Sequence, residues 1–324
     1  MKPAMDIRPE GDTDSGRWPP LPYAEWKETA ATLQLWTQIV GKVRLALAPW
    51  QNHSWHVTLY VSARGLTTAL LPHPRTSFEI EFDFIRHELC VRCSNGAEGV
   101  VALRPMTVAD FYRQLRGVLR ELDLEVKIFA SPNEVDPAIP FAEDTTHAAY
   151  DPIYAQRFWT VLLQCDHAFK KFRSGFIGKC SPVHFFWGSF DLAVTRFSGR
   201  RAPQHPGGIP HLPDAVTREA YSHEVSSAGF WPGGPAMPEA VFYSYAYPSP
   251  PGFAEASVRS QGAAWNGAMG EFILPYEAVR TAANPEQILR EFLESSYAAA
   301  ANLAHWDRGN LELGEDLSAK LRRT

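Results

Sequence analysis

The residues whose side chains are best suited to catalysis or ligand binding lie in one run, VHFFWGSFDLAVTRFSG, from Val183 to Gly199. The run places His184, Asp191 and Arg196 among aromatic and aliphatic residues, where an unpaired charge is costly. Alternation along a strand puts His184 and Arg196 on one face and Trp187 and Asp191 on the other. We therefore expect His184 to act as a general acid or base and Arg196 to bind an anionic group, with Trp187 and Asp191 contacting a ligand. The alternative is that Asp191 and Arg196 pair with neighbouring strands and fix their register.

A second run, SHEVSSAGFWPGG, begins at Ser222. His223 and Glu224 are adjacent in a predicted strand, so their side chains point to opposite faces and only one of them faces a given cleft. Both are candidate catalytic residues. The strand cannot continue past Pro232, and the glycines around it allow close backbone approach. Trp231 is therefore expected at the rim of a pocket, in contact with a ligand.

A third run, VFYSYAYP from Val241, alternates tyrosine with other residues. Tyr243 and Tyr245 fall on one face of the predicted strand, where they form a platform for a flat or sugar-like ligand. A cross-strand aromatic ladder that only stabilises the sheet is the alternative.

Glu271, in a fourth predicted strand, is a further candidate catalytic residue. With His184 and His223 it would form a site of two histidines and one carboxylate if the strands were neighbours, but no local signature such as HExxH supports a metal. We predict no metal site. No phosphate-binding loop, dinucleotide-binding glycine pattern or nucleophile elbow is present, so the cofactor is left unknown. Cys90 and Cys93 have the spacing of a redox or zinc pair, yet in a strand they face opposite sides and indicate packing.

Hydrophobic periodicity indicates the elements that position these residues. From Tyr23 to Ala48 apolar residues recur at three- and four-residue steps, which predicts an amphipathic helix. Alternating runs then predict an antiparallel meander, followed by a helix capped by Thr107 and a short strand, EVKIFA. The strands of this meander are predicted to begin at His56, Thr68, Phe78 and Glu88.

The same order recurs after residue 150. Asp151 followed by Pro152 predicts the start of a long helix that ends near Gly178. Four strands and a last helix follow, at residues 183–198, 221–230, 241–247, 270–274 and 284–305. Helix, meander and helix occur twice, which raises an internal duplication as a hypothesis, although the spacings match only loosely.

The predicted fold class is α+β, in two halves that are each a mainly antiparallel sheet covered by helices. Residues 131–150 carry three prolines and no periodicity, which indicates a linker. The predicted layout is a disordered tail at 1–20, an N-terminal half at 21–130, the linker at 131–150, a C-terminal half with the candidate site at 151–310, and a charged tail at 311–324.

Composition restricts the partners. A net charge of −5 gives no basic stripe for nucleic acid. The chain has no apolar run long enough to cross a bilayer and no signal-peptide pattern at its start, so we expect no membrane partner and a cytoplasmic location. The expected partner is a small-molecule ligand or substrate, and the oligomeric state is not predicted.

Nearly the whole chain, from Trp18 to Asp307, resembles DUF5996, an uncharacterised bacterial family known only as a domain of unknown function. The resemblance lies in long runs such as WTQIVGKVRLAL at Trp36, FEIEFDFI at Phe78, HFFWGSFDLAVTRFSGR at His184 and GEFILPYEAVR at Gly270. It implies no activity, cofactor or catalytic residue. The residues themselves favour an enzyme that acts on a small polar or anionic metabolite in a cleft of the C-terminal half. A non-catalytic module that binds a small ligand or a peptide is the alternative.

Overall fold

Alternating and β-branched runs pair into two antiparallel sheets, and seven helices pack around them, in the computed structural model, which describes residues 16–314. This confirms the α+β class. The helices are α1 Tyr23–Leu47, α2 Val108–Glu121, α3 Pro152–Ser174, α4 Asp214–Ala220, α5 Tyr276–Arg280, α6 Pro285–Leu303 and α7 Arg308–Leu311. The strands are β1 Tyr60–Val61, β2 Gly65–Thr67, β3 Phe78–Asp83, β4 Glu88–Cys93, β5 Glu98–Ala102, β6 His184–Phe186, β7 Asp191–Arg201, β8 His223–Trp231, β9 Val241–Tyr247, β10 Ala264–Asn266 and β11 Glu271–Pro275.

Three of the long helices begin at the caps that the sequence indicated. The Thr107 hydroxyl accepts a hydrogen bond from the backbone of Asp110, and Asp151 accepts from the backbone of Tyr154. Asn284 does the same for Gln287. Each cap satisfies backbone N–H groups that have no partner inside the helix, which fixes where the helix starts.

The first sheet is a meander of β1 to β5 in chain order, and the second has the order β10-β11-β9-β8-β7-β6. Three local predictions were wrong. The strand predicted to begin at Thr68 lies earlier in the chain, at Gly65–Thr67. The segment EVKIFA forms no strand, and the run from Val183 to Ser198 is two strands, since a tight connection over residues 187–190 separates β6 from β7. Phe190 closes this connection with a φ of 61°, a conformation that is strained for a bulky residue.

The two faces of the second sheet differ. Helices α3 and α6 cover one face, where Phe169 of α3 packs against Phe242 of β9. The opposite face carries Asp191 and Tyr243 and looks toward α1 and residues 133–136. One face therefore belongs to the core, and the other is available for a site.

The two sheets meet where Leu59 and Phe185 exchange both backbone hydrogen bonds, at 2.9 and 2.8 Å. Residues 131–150 lie against the helices, because the backbone N–H of Ala109 bonds to the carbonyl of Asp144 and Gln38 bonds to Asn133. The division into two halves with a linker and the internal duplication stay predictions.

Most of the two predicted tails, residues 1–15 and 315–324, lies outside the described residues. Trp18 is only 2% exposed and packs 6.1 Å from Tyr276, so the packed part of the chain begins before residue 21, where the sequence prediction placed it. Among the helices of residues 16–314, none is both long and apolar enough to cross a membrane.

Candidate functional site

A cavity of about 660 Å³ opens on the free face of the second sheet. Strands β7, β8, β9 and β11 form its floor, while α1, the connection before β7 and residues 134–136 form its walls. Its lining includes a group of three carboxylic acids and three tyrosines: Glu134, Asp191, Glu271, Tyr221, Tyr243 and Tyr245. Asp136, His147 and Tyr23 also line it.

Asp191 lies at the start of β7 and is 7% exposed. Its carboxylate accepts hydrogen bonds from the hydroxyls of Tyr243 and, at 2.7 Å, of Ser189. Burial raises the pKa of Asp191, although these hydroxyl donors act in the opposite direction. The group is therefore an acid that holds its proton more tightly than usual.

Gly229 makes the contact between Tyr243 and Asp191 possible. Strand β8 lies between β7 and β9, so the Tyr243 side chain must cross β8 to reach Asp191. It crosses at Gly229, where an added Cβ would lie 2.3 Å from the Tyr243 hydroxyl oxygen. Only glycine leaves that space.

Glu134 reaches the cavity from the segment that follows α2. Its Oε1 atom packs against Gly188, where an added Cβ would lie only 2.2 Å from it. The residue has a φ of 56°, which is uncommon outside glycine. Surrounding protein raises the pKa of Glu134 to about 7, and the charge of Asp191 adds to the effect, while the side chain stays accessible from the cavity.

Glu271, the first residue of β11, completes the acidic group. Burial, and then the charge of Asp191, raise its pKa to about 7. Within residues 16–314, none of the three carboxylates forms an ion pair, and no lysine or arginine lines the cavity. Near neutral pH the cavity therefore retains protons that carboxylates with ordinary pKa values would have lost.

The tyrosines form one wall. The hydroxyls of Tyr221 and Tyr245 are 2.8 Å apart, and the rings of Tyr243 and Tyr245 are stacked with centroids 6.1 Å apart. Burial raises the pKa of all three phenols, so they remain protonated donors. This wall offers aromatic faces and hydroxyl groups to the same ligand.

Half of the residues that the sequence indicated line this cavity: Asp191, Trp231, Tyr243, Tyr245 and Glu271. The other five are placed elsewhere: His184, Trp187, Arg196, His223 and Glu224. The structure thus brings the predicted tyrosines and two carboxylates together and separates them from both histidines and the arginine.

Arg196 points to the helix-covered face of the sheet. Its guanidinium lies 3.5 Å from the ring centre of Phe172 and 4.3 Å from that of Tyr297, and it donates to the Phe172 carbonyl. Burial lowers its pKa to about 10. This is an aromatic sandwich within the core, and it corrects the expectation that Arg196 faces a ligand anion in the cleft.

His184 and Trp187 are packing residues in this structure. His184 is 1% exposed, its Nδ1 has no hydrogen-bond partner among the described residues, and burial lowers its pKa to about 3. Trp187 donates to the Val57 carbonyl at 2.7 Å and lies so close to Gly41 that an added Cβ there would be 2.2 Å away. Neither is among the residues that line the cavity.

His223 and Glu224 lie at the other end of β8. Glu224 accepts from Arg200 at 2.7 Å. His223 lies 6.1 Å from His53 between ring centres, and burial together with the nearby charge of Lys179 lowers its pKa. They are placed on opposite faces, as alternation predicted, and apart from the acidic group.

Glu134 and Tyr221 line the cavity but were not predicted from the sequence. Glu134 was assigned to a linker because residues 131–150 lack periodicity, and only the tertiary fold places it beside Asp191. One signal was present: Gln34, Gln38 and Lys42 form a polar stripe on α1, where Gln38 and Lys42 bond to Asn133 and Gln34 bonds to Gly188.

Among residues 16–314, no three histidine, cysteine, aspartate or glutamate side chains are arranged to hold a metal ion. The chain belongs to DUF5996, a family of unknown function, whose sequence model matches residues 18–313. Neither the curated proteins nor the solved structures include a match to the chain.

Proposed function

We propose that this member of DUF5996 binds a small organic cation, such as an amine or a quaternary ammonium compound, in the cavity. The observation that carries the proposal is the convergence of Glu134, Asp191 and Glu271 on one tyrosine-walled cavity with no lysine or arginine among its described lining residues. A carboxylate that is buried without a partner is unfavourable, and a bound cation relieves that cost.

The aromatic wall supports the same class of ligand. Cations bind over the faces of tyrosine and tryptophan rings, with a gain of about 0.5–2 kcal/mol per contact that increases as water is excluded. Tyr243, Tyr245 and Trp231 all line the cavity. An anionic metabolite, the class that Arg196 indicated at first, would meet three acids here, and Arg196 lies on the other face.

Binding of a cation should release protons. The pKa values of Glu134 and Glu271 are both raised to about 7, so at about pH 6 most of these carboxyls are protonated. A cation favours the ionised carboxylate and displaces its proton. As long as the pH is below the pKa, the affinity for the cation should rise about tenfold per unit increase in pH for each proton displaced.

The test compares choline with its neutral isostere, 3,3-dimethylbutan-1-ol, and n-butylamine with butan-1-ol, by isothermal titration calorimetry in phosphate buffer. We expect the cations to bind more tightly than the alcohols, and their affinity to rise between about pH 6 and pH 8. The Glu271→Gln variant should weaken cation binding, whereas Glu239→Gln, which removes an exposed carboxylate outside the cavity, should not. Equal binding of alcohols and cations would exclude the proposal.

General acid–base catalysis on the bound molecule is a second candidate function. It is favoured by two carboxyl groups whose pKa lies near neutrality beside a third that has hydroxyl donors, because proton transfer is most efficient when the pKa of the group is close to the working pH. Incubation of the protein with a mixture of amine metabolites, followed by untargeted mass spectrometry, tests it. Turnover that Asp191→Asn abolishes would support an enzyme, and an unchanged mixture would leave a binding module.

A further inference from the structure

Three polar side chains, Gln34, Gln38 and Lys42, follow one another at four-residue intervals along α1. Residues four apart lie on one side of a helix, so the three form a continuous stripe. Gln38 and Lys42 are buried, at 0% and 3% exposure, as are Arg44 and three threonines of the same helix. Buried polar groups require specific partners.

Two members of the stripe bind Asn133, the residue before Glu134. Gln38 accepts from the Asn133 backbone N–H at 2.8 Å and donates to its backbone carbonyl at 2.9 Å. Lys42 donates to the Asn133 side-chain oxygen at 2.5 Å. Backbone and side chain of one residue are thus both held by α1.

Lys42 has no carboxylate partner among the described residues. Its ammonium group lies 5.5 Å from the ring centres of both Phe129 and Trp187, and burial lowers its pKa to about 8. A buried lysine is unfavourable unless its interactions compensate for the lost water. In this structure its only described hydrogen bond is the one to Asn133.

The third member of the stripe, Gln34, holds Gly188, the residue against which the Glu134 side chain packs. Gln34 donates to the Gly188 carbonyl at 2.7 Å, and the Glu134 carboxylate lies directly over the Gly188 α-carbon. The same stripe therefore holds the residue before Glu134 and the residue beneath it. Asn133 also donates to the carbonyl of His211 at 2.5 Å, which ties the long loop before α4 to this point.

We infer that Asn133 is a positioning residue, held by Gln38 and Lys42, whose role is to place the Glu134 carboxylate in the cavity. The inference deepens the proposed function and rests on it for its purpose, because a positioned carboxylate matters only if the cavity binds a ligand. Glu134 has a left-handed backbone conformation, which a loop without such fixed contacts would not retain.

The experiment measures Glu134 directly and needs no ligand. The full chain is labelled with ¹³C at the glutamate carboxyl carbon and titrated by NMR, and the Glu134 and Glu271 signals are assigned with Glu134→Gln and Glu271→Gln. The variants are Asn133→Ala and Lys42→Met, with Lys27→Met as the matched control, since Lys27 is an exposed lysine of the same helix. Thermal unfolding confirms that each variant is folded.

In the wild-type protein and in Lys27→Met, Glu134 should titrate near pH 7. In Asn133→Ala and Lys42→Met its midpoint should fall by at least about one pH unit toward the ordinary glutamate value, because the carboxylate moves away from the surrounding protein and from the Asp191 charge, which together raise its pKa. The Glu271 midpoint should stay in place. A Glu134 midpoint that is unchanged in both variants overturns the inference, and so does a parallel shift of Glu134 and Glu271, which would mean general loosening of the fold.

The outcome is separable from that of the proposed function. If Glu134 shifts alone but choline and n-butylamine do not bind the wild-type protein, the positioning role stands and the cation site fails. If the cations bind but Glu134 does not shift, the cation site stands and the positioning role fails.

Discussion

Replacing Glu271 with glutamine should make the protein more stable at alkaline pH. The folded-state pKa of Glu271 is raised to about 7 from an ordinary value of 4.5, so the folded state binds the proton more tightly than the unfolded chain does. Protonated Glu271 therefore does not destabilise the folded state at low pH, and the folded state loses stability as the pH rises from the unfolded pKa of 4.5 to the folded pKa of about 7. Glutamine has no charge at any of these pH values and escapes the loss.

The magnitude follows from the shift. A difference of about 2.5 pH units corresponds to about 3 kcal/mol when the carboxylate is ionised in both states, which is complete by about pH 8. Glu271 is partly exposed, and solvent screening reduces the effect, so we expect about 1–3 kcal/mol. At about pH 5 the two proteins should differ by less than about 1 kcal/mol from this cause.

Urea denaturation of the wild-type protein and Glu271→Gln at pH 5, 6, 7 and 8 measures the free energy of unfolding directly. Glu239→Gln, with an exposed carboxylate, controls for the loss of one negative charge. The difference between Glu271→Gln and the wild-type protein should grow as the pH rises. A difference that stays constant, or that shrinks toward pH 8, would show that the Glu271 carboxyl is not held protonated by the fold.

Three further predictions follow from close contacts. Gly229→Ala should lower the free energy of unfolding by about 1–3 kcal/mol, measured by urea denaturation, because its Cβ would meet the Tyr243 hydroxyl oxygen at 2.3 Å. Gly188→Ala should displace the Glu134 carboxylate and weaken choline binding in calorimetry. Arg196→Ala should destabilise the protein by about 2–4 kcal/mol while choline affinity stays unchanged, since the side chain fills an aromatic sandwich outside the cavity. Loss of binding in folded Arg196→Ala would contradict this placement.

Local signals predicted the four long helices and most of the strands, whereas the short helices α4, α5 and α7 were not predicted. Caps at Thr107, Asp151 and Asn284 marked helix starts to within a residue, because side-chain capping is encoded in the few residues that form it. Strand β9 was also predicted with its observed limits, since tyrosine alternation is a strong period-two pattern. The break between β6 and β7 was missed because aromatic residues continue through it, and only the backbone conformation at Phe190 shows the turn.

The site was predicted in part for the same reason. Alternation placed Asp191, Tyr243 and Tyr245 on definite faces, and the pairing of β7, β8 and β9 then brought those faces together. Glu134 comes from a segment without periodicity, and its position depends on contacts with α1 that are about 95 residues apart in sequence. No local rule predicts such a contact.

The cost of a buried polar group does not by itself distinguish a functional residue from a structural one. Strand β7 carries one of each: Asp191 and Arg196 are both nearly buried, and burial moves both pKa values toward the neutral form. The difference lies in what surrounds them. Arg196 is enclosed by aromatic rings and donates to a backbone carbonyl, so it packs within the core. Asp191 borders an open cavity with two further acids.

A sheet selected for stability alone would place apolar side chains at the positions of Asp191 and Glu271, because their raised pKa values mean that ionising them destabilises the fold. Glu134 adds a left-handed backbone conformation, which costs about 1–3 kcal/mol, and a buried lysine holds its neighbour in place. The three carboxyl groups converge on one cavity. A ligand that supplies the missing positive charge turns all three acids into favourable contacts at once, which is why an organic cation fits the cavity better than a neutral or anionic molecule.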